Sequence, residues 1–184
     1  MNYYGAKELA RSFRTVRDNT IKIAEEIPED KYGFRPAPES RTVAETLAHI
    51  AIGSRGGEHI HFVEHLSTLA GFDFFGFVDK QKAEIATPRT KAEIIQLLRE
   101  EGDRFEKLLA GAPEELLAER VEYPQGMFPP SKSRFEMLIS AKEHEMHHRG
   151  QLMLIERMLG ITPHLTRLME ERISSMKAAQ AGTK

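Results

Sequence analysis

The chain has 184 residues, of which 40% are hydrophobic and 29% charged, and its formal net charge is -2 at pH 7. This length suits one domain with a substantial core. The near-neutral net charge does not favour binding to nucleic acid or to an anionic membrane. The absence of cysteine excludes disulfides, thiolate metal ligands and a cysteine nucleophile. No apolar run reaches the length of a membrane span and no signal-peptide core follows Met1. We therefore expect a cytoplasmic protein that binds neither nucleic acid nor membranes.

Apolar residues recur every three or four positions over residues 9–27, which predicts an amphipathic helix over about 3–27 that ends at Pro28. Residues 32–40 are rich in proline and other turn formers, and a residue before proline avoids the helical region. This segment is predicted to be a connector.

Thr42 and Glu45 form a capping box that opens a second predicted helix, over about 42–70. Glu45 is interpreted as part of this cap rather than as a metal ligand. On a helical wheel His49 shares one side with small residues such as Gly53, which leave room around the ring. A histidine on such a face is either a hydrogen-bonded core residue or a metal ligand. The pattern alone leaves both interpretations open.

His61 and His65 form a pair four residues apart on the same predicted helix. They lie roughly 120–160° around the helix from His49, so one ion can hardly use all three. We interpret the pair as surface or interface residues, with a metal role as the alternative. No role is assigned to His59.

Residues 71–78 contain four phenylalanines among glycines, a composition too short and too glycine-rich for a bundle helix. We expect a hydrophobic loop packed on the core; a pocket wall and a subunit interface are the alternatives.

Thr90 and Glu93 form another capping box, followed by the apolar stripe of a helix over about 90–110. Residues 119–132 are predicted to be a loop, and no strand pattern of any length is visible. A final amphipathic helix is expected over about 163–178.

A long helix is predicted over 133–159, because Ser133 and Glu136 form a capping box and Gly160 supplies the stop signal. This helix contains the main candidate functional residues of the sequence.

At about 100° per residue, His144, His148 and Gln151 share an otherwise apolar arc of this helix, so we expect them to point inward. Two imidazoles four residues apart are about 6 Å apart at Cβ and can reach one metal ion at about 2.0–2.1 Å. The pair is a candidate metal site that needs a third ligand, or else an incidental pair. Gln151 is expected to contact a ligand or the substrate, and His147, on the flank of the arc, to support the site.

His144, Glu145 and His148 also satisfy H-E-x-x-H, in which two histidines bind zinc and the glutamate activates water. Metzincins have a glycine and a third histidine at set positions after this motif, and residues 149–154 do not supply them. No sheet that could form a substrate cleft is visible in the sequence. A zinc peptidase with Glu170 or Glu171 as third ligand is the weaker alternative.

Two segments carry a resemblance to a known family. The first reads EHEMHHRGQL at 143–152, with RMLGI at 157–161, and the second reads FRPAPESRT at 34–42, with ETLAHI at 45–50. Together they resemble the DinB/YfiT-like family of damage-inducible four-helix-bundle metalloproteins. The resemblance covers most of the chain and implies an all-α fold, a four-helix bundle with an additional C-terminal helix, as one domain over residues 1–184.

By this resemblance His49, His144 and His148 correspond to the family's metal ligands. The implied cofactor is one divalent ion, zinc or nickel first, with iron and manganese as further options, since imidazole accepts several metals. A homodimer is also implied. His164 departs from the family, which often has a second proline there, and residues 72–77 do not align.

Three neutral imidazoles leave at least one open coordination position, which is typical of catalytic rather than structural sites. A metal there can lower the pKa of water for hydrolysis, or that of a thiol. Some members of the family that the chain resembles are related to bacillithiol- or mycothiol-dependent transferases, so the resemblance implies, as the first expectation, a thiol-dependent S-transferase acting on a small thiol and an electrophile. A metal-dependent hydrolase and a non-catalytic, metal-stabilised stress-response binding protein are the alternatives. No catalytic residue beyond the ligands is identified.

Overall fold

The computed structural model describes residues 4–181. In chain order the elements are α1 (Ala6–Glu26), a 3-10 turn (Glu29–Lys31), α2 (Val43–Gly53), α3 (Arg55–Glu58), a π-helical turn (His59–Val63), α4 (Phe74–Ile85), α5 (Lys91–Gly111), α6 (Glu114–Ala118), β1 (Arg120–Glu122), β2 (Ser131–Ser133), α7 (Arg134–Met158) and α8 (His164–Ala181). Helices α1, α2, α5 and α7 pack against one another as a four-helix bundle. The predicted all-α bundle with an additional C-terminal helix is confirmed.

Two clusters of buried apolar side chains form the core of the bundle. One includes Ile23, Leu47 and Leu152, and the other is centred on Phe13 and Phe105, whose rings meet edge to face at 5.1 Å. Both clusters contain residues of α1, α5 and α7, because the apolar stripe of each of these helices faces the interior of the bundle. This packing fixes the position of α7 beside α2.

The predicted capping boxes are all formed. The Thr42 hydroxyl accepts a hydrogen bond from the Glu45 amide at 3.1 Å, and the Glu45 carboxylate accepts one from the Thr42 amide at 2.7 Å. Equivalent boxes at Thr90 and Ser133 begin α5 and α7. Each box satisfies amide groups that a helix start leaves without partners.

The second predicted helix is much shorter than expected, since α2 ends at Gly53 instead of continuing to about residue 70. One short helical turn, the π-helical turn His59–Val63 and an irregular segment follow. Gly56 and Gly57 lie in the short helix α3 and lower its helix propensity, and His65 adopts a left-handed backbone with φ of 48°.

Residues 71–78 were expected to be a loop, and this prediction is wrong, because α4 begins at Phe74. The Asp73 carboxylate accepts a hydrogen bond from the Gly76 amide at 3.0 Å and caps the helix start. Phe74 and Phe75 are exposed.

The expected absence of strands is also wrong. β1 and β2 pair antiparallel, with Val121 opposite Lys132, and Val121 is buried. Three-residue strands are too short to show a period-two pattern in the sequence.

The remaining boundaries agree with the predictions to within a few residues, although residue 3, where the first helix was expected to begin, lies outside the described residues. α8 docks on α1 through His164, whose Nε2 lies 3.0 Å from Asn19 Oδ1, and through an ion pair between Arg167 and Glu26. Over residues 4–181, no helix has the length and apolarity needed to cross a membrane.

Candidate metal centre

Three histidine side chains meet between α2 and α7. The Nε2 atom of His49 lies 2.9 Å from that of His144 and 3.1 Å from that of His148, and the latter two are 3.1 Å apart. The rings stand at steep angles to one another, between 71° and 87°. Within residues 4–181, this is the group of histidine and carboxylate side chains that could hold a metal ion.

The helices position the three rings in different ways. His144 and His148 are one turn apart on α7, so their side chains leave the same face of the helix. His49 approaches from α2, and Gly53, one turn later, leaves space for the His144 ring. A Cβ atom at Gly53 would lie 3.2 Å from His144 Cε1 and 3.3 Å from its Nδ1.

The environment keeps the three imidazoles neutral. Burial, with a smaller effect of the Arg41 charge, lowers the pKa of His49 to about 3. Burial and the neighbouring histidines lower the pKa of His144 to about 4, and burial also lowers the pKa of His148. Neutral imidazoles have lone pairs to offer, so all three are ready to act as ligands near pH 7.

Gln151 sets the orientation of the His148 ring. The His148 Nδ1–H group donates to Gln151 Oε1 at 2.8 Å, and the Gln151 amide nitrogen donates to His147 Nε2 at 3.2 Å. With its proton on Nδ1, His148 presents the lone pair of Nε2 to the other two histidines. The structure thus places Gln151 and His147 beside the cluster, where the sequence pattern had suggested supporting residues.

Glu145 points away from the histidines. Its side chain is almost completely buried and forms an ion pair with Arg17, whose Nη2 lies 3.0 Å from Glu145 Oε2. Arg17 Nη1 also donates to the Leu98 carbonyl at 2.8 Å. A carboxylate held in this way cannot serve as the water-activating base of an H-E-x-x-H site, and the alternative third ligands at positions 170 and 171 are exposed on α8. The zinc-peptidase interpretation is therefore wrong.

The histidines between α2 and α4 lie outside the cluster. His61 was interpreted as a surface or interface residue, but it is 2% exposed and its Nδ1 accepts a hydrogen bond from Arg134 at 3.2 Å. His65 is exposed, as expected, and pairs with Glu119 at 3.0 Å. His59 stacks on Phe77, with ring centres 5.5 Å apart. The π-helical turn explains the error at His61, because it shifts the helical phase on which the wheel relied.

A cavity of about 520 Å³ opens beside His148, between α7 and the segment that leads into α2. This volume falls in the range of small-molecule sites, about 300–1,000 Å³. Gln151, Leu154, Arg41 and Glu39 contribute to its walls. None of the phenylalanines at 72–77 is among these lining residues, but Phe72 and Phe77 line a second cavity of about 430 Å³ next to His59. The alternative that this segment forms a pocket wall therefore holds for that second cavity and not for the one beside His148.

The geometry of the cluster fits a metal ion. A neutral imidazole has one N–H group, and the His148 proton is on the other nitrogen, so three adjacent Nε2 atoms cannot satisfy one another by hydrogen bonds. Two nitrogens that each lie about 2.0–2.1 Å from one ion are about 3.3 Å apart at the tetrahedral angle. The observed separations of 2.9 and 3.1 Å require only a small outward movement of the rings.

Comparisons with known proteins agree with this fold. The sequence model of the DinB superfamily matches residues 12–152, and the chain belongs to this superfamily. The uncharacterized protein YjoA of Bacillus subtilis is 24% identical over 163 residues, which cover 85% of this chain and 92% of that protein.

Two solved structures share the fold. The crystal structure of the DinB-like protein YjoA from Bacillus subtilis superimposes with a TM-score of 0.62 at 21% identity, covering 84% of this chain and 94% of the other. YfiT from Bacillus subtilis superimposes with a TM-score of 0.66 at 14% identity, covering 88% and 91%. YfiT is described as a probable metal-dependent hydrolase with an unusual four-helix bundle topology.

Two features of the site were missed in the sequence. Arg17 is the charged residue within the apolar stripe of α1, and such an interruption could have indicated a buried ion pair. Arg41 lies next to the predicted cap at Thr42, where no periodicity distinguishes it from an ordinary surface residue. Its place on the cavity wall is visible only in the folded chain.

Proposed function

We propose that His49, His144 and His148 hold one divalent cation and that the protein is a metal-dependent enzyme of the thiol S-transferase type. The observation that carries this proposal is the convergence of three neutral Nε2 atoms beside an open cavity. Zinc and nickel are the preferred ions, since both accept imidazole ligands.

A divalent cation bound there would act as a Lewis acid and lower the pKa of a thiol or a water molecule that reaches its open coordination position. The chain's own residues prepare this position. Burial keeps the imidazoles unprotonated, Gln151 fixes the His148 ring, and the cavity beside His148 admits a small molecule.

The two carboxylates that flank the cluster in the sequence, Glu45 and Glu145, are engaged in other contacts, and this favours a reaction with a thiol over hydrolysis. Hydrolysis requires a group that moves a proton from water to the leaving group. Glu145 is paired with Arg17, and Glu45 accepts hydrogen bonds from the Thr42 amide and from Arg35. A thiol, with a pKa of about 8.5, loses its proton to solvent more readily than water. Its sulfur then forms a bond to an electrophilic carbon, and the leaving group departs with the bonding electron pair.

The metal site is tested first, without activity. Protein purified without a histidine tag should contain one equivalent of metal by elemental analysis, and His49→Ala, His144→Ala and His148→Ala should each lose it. His61→Ala and His65→Ala are the matched controls and should retain the metal, because the structure places both side chains outside the cluster. Full metal content in all three site variants would refute the proposal.

The reaction is tested on metal-loaded protein with glutathione, bacillithiol or mycothiol and an electrophile such as a chloronitrobenzene or a bimane. Conjugate should form faster than with His148→Ala. A metal-dependent hydrolase is the second candidate, because the Glu39 carboxylate lines the same cavity as His148 and could handle a proton there. Cleavage of esters or amides without thiol conjugation would select the hydrolase, and retained metal with neither activity would select the non-catalytic alternative.

A further inference from the structure

The wall of the cavity beside His148 carries one arginine, Arg41, whose guanidinium forms no ion pair within residues 4–181. Arg41 lies at the end of the connector that precedes α2, and its side chain is exposed and lines the cavity. It makes no hydrogen bond or ion pair with any residue from 4 to 181. An arginine head group carries five donors in a planar fork, so Arg41 offers an unsatisfied binding group to whatever enters the cavity.

The neighbouring charges are already engaged. Arg35 pairs with Glu45 at 3.2 Å and donates to the Ser40 carbonyl. The Glu45 carboxylate also completes the cap of α2 through the Thr42 amide. Arg41 is thus left as the free cation in this part of the cavity, with the exposed Glu39 as the charged residue of opposite sign on the same wall.

Arg41 and the histidine cluster share one cavity. Arg41 and His148 line the same cavity of about 520 Å³, and this volume falls in the range of sites for one small molecule. One small molecule in the cavity can therefore contact both the guanidinium and the cluster. The cavity wall also includes Leu154 and Ile155, which suit a short apolar linker.

We propose that Arg41 is a specificity-determining residue that binds a carboxylate of the substrate, while the reacting end of the same molecule lies at the histidine cluster. The proposal rests on the proposed function for the location of the reacting end. Arginine matches a carboxylate with two parallel hydrogen bonds. The site selects small anionic substrates over neutral ones of the same length, and Glu39 opposes this selection through its like charge.

The test compares 3-mercaptopropionate with 3-mercapto-1-propanol, which differ in charge at one end, by calorimetric titration of metal-loaded protein of verified metal content. The wild type should bind the carboxylate about tenfold more tightly than the alcohol, the strength of one charge-assisted contact. Arg41→Gln should remove this preference without changing metal content or affinity for the alcohol. Arg41→Lys should keep part of it, and Glu39→Gln should increase it. An unchanged preference in Arg41→Gln would overturn the proposal.

A second measurement separates this proposal from the thiol chemistry. In metal-free protein, the NMR signal of the Arg41 side-chain Nε–H group, assigned by its loss in Arg41→Gln, should shift with propanoate and not with propanamide. If neither thiol binds but propanoate moves this signal, the S-transferase function fails and the carboxylate site stands. If both thiols bind equally and propanoate has no effect, the carboxylate site fails and the thiol chemistry stands.

Discussion

The buried pair of Arg17 and Glu145 joins α1 to α7, and Glu145 is the residue next to His144 in the chain. Both side chains are almost completely inaccessible, and Arg17 also donates to the carbonyls of Leu98 and Ile50. One guanidinium thus ties the bundle helices α1, α2, α5 and α7 together. We interpret the glutamate of the H-E-x-x-H match as a structural residue of the bundle.

Glu145→Gln is expected to lower the free energy of unfolding by about 3–5 kcal/mol, because it leaves the Arg17 charge buried without a counter-charge. The folded fraction should still bind one equivalent of metal. Chemical denaturation and elemental analysis measure the two effects. Arg17→Met combined with Glu145→Leu is the control and should recover much of the stability. Unchanged stability with loss of activity would instead identify Glu145 as a catalytic base.

A substitution at Gly53 is expected to change the affinity for metal and the stability of the metal-free protein in opposite directions. In Gly53→Ala the new methyl group would lie 3.2 Å from the His144 ring, so the ring must move by a few tenths of an ångström. Alanine is also the better helix former, by up to about 1 kcal/mol. We expect metal affinity to fall about tenfold while the metal-free protein is as stable as the wild type or more so.

Isothermal titration with zinc and thermal melts of the metal-free protein measure these opposite effects. Gly56→Ala is the matched control, since a Cβ there would make an ordinary contact at 3.6 Å with Phe77 and should leave metal affinity unchanged. Equal affinities in Gly53→Ala and the wild type would show that the His144 ring has more freedom than the structure indicates.

Helix α8 packs on the bundle around a buried carboxylate. Glu156 of α7 is 0% exposed, and neither of its oxygens has a hydrogen-bond partner among residues 4–181. Burial, reinforced by the nearby Glu26 charge, raises the pKa of Glu156 to about 7, against the smaller opposing effects of Arg167 and Arg157. The junction of α1, α7 and α8 therefore contains a group that the folded state prefers to keep protonated.

Glu156→Gln is expected to stabilise the protein at pH 8. A pKa that is raised in the folded state contributes stability below the unfolded value of about 4.5, and this stability is lost as pH rises through about 7. At pH 8 the variant should gain about 1–3 kcal/mol, and at pH 4.5 the difference should nearly vanish. Urea denaturation at both pH values measures the gain. A gain that is the same at both pH values would contradict this explanation.

The exposed side chains of α8 include Met169, Ile173 and Met176. The homodimer implied by the family resemblance stays a prediction, and sedimentation equilibrium tests it.

By the proposed metal site, the stability of the whole bundle should depend on metal and on pH. Metal bound only by the folded state adds about 2.7 kcal/mol of stability when its concentration is about 100 times Kd. Without metal, the lowered pKa values of His49 and His144 mean that the unfolded chain binds more protons below pH 6.5. Stability should then fall as pH decreases from about 6.5 towards 4.

We expect metal-free wild type to lose about 1–2 kcal/mol of stability for each of His49 and His144 between pH 7 and 5. A variant with glutamine at positions 49, 144 and 148 should lose less, and metal-loaded protein should melt at a higher temperature than either. Thermal melts with and without a chelator at each pH measure these differences. His61, whose pKa burial lowers to about 4, remains in both proteins and provides the common background. Identical pH profiles for wild type and the glutamine variant would contradict this linkage.

Local patterns in the sequence were sufficient for the starts of α2, α5 and α7 and for the facing pair on α7, although not for the end of α2. Capping boxes at Thr42, Thr90 and Ser133 are short-range signals that act within one turn, so they hold whatever the tertiary context. The four-residue spacing of His144 and His148 places them on one face of any regular helix. The third histidine was identified only through family resemblance, because nothing local distinguishes a core histidine from a ligand.

The features that tertiary structure decided depend on contacts between distant segments. The burial of His61 follows from Arg134, which is 73 positions away in the chain, and from a π-helical turn that no periodicity revealed. Glu145 points away from the site because it pairs with Arg17 of α1, which is 128 positions away in the chain. The position of Arg41 on the cavity wall depends on how the connector folds against α7. Spacing along one helix determines which side chains share a face, but only the packing of helices determines what each face meets.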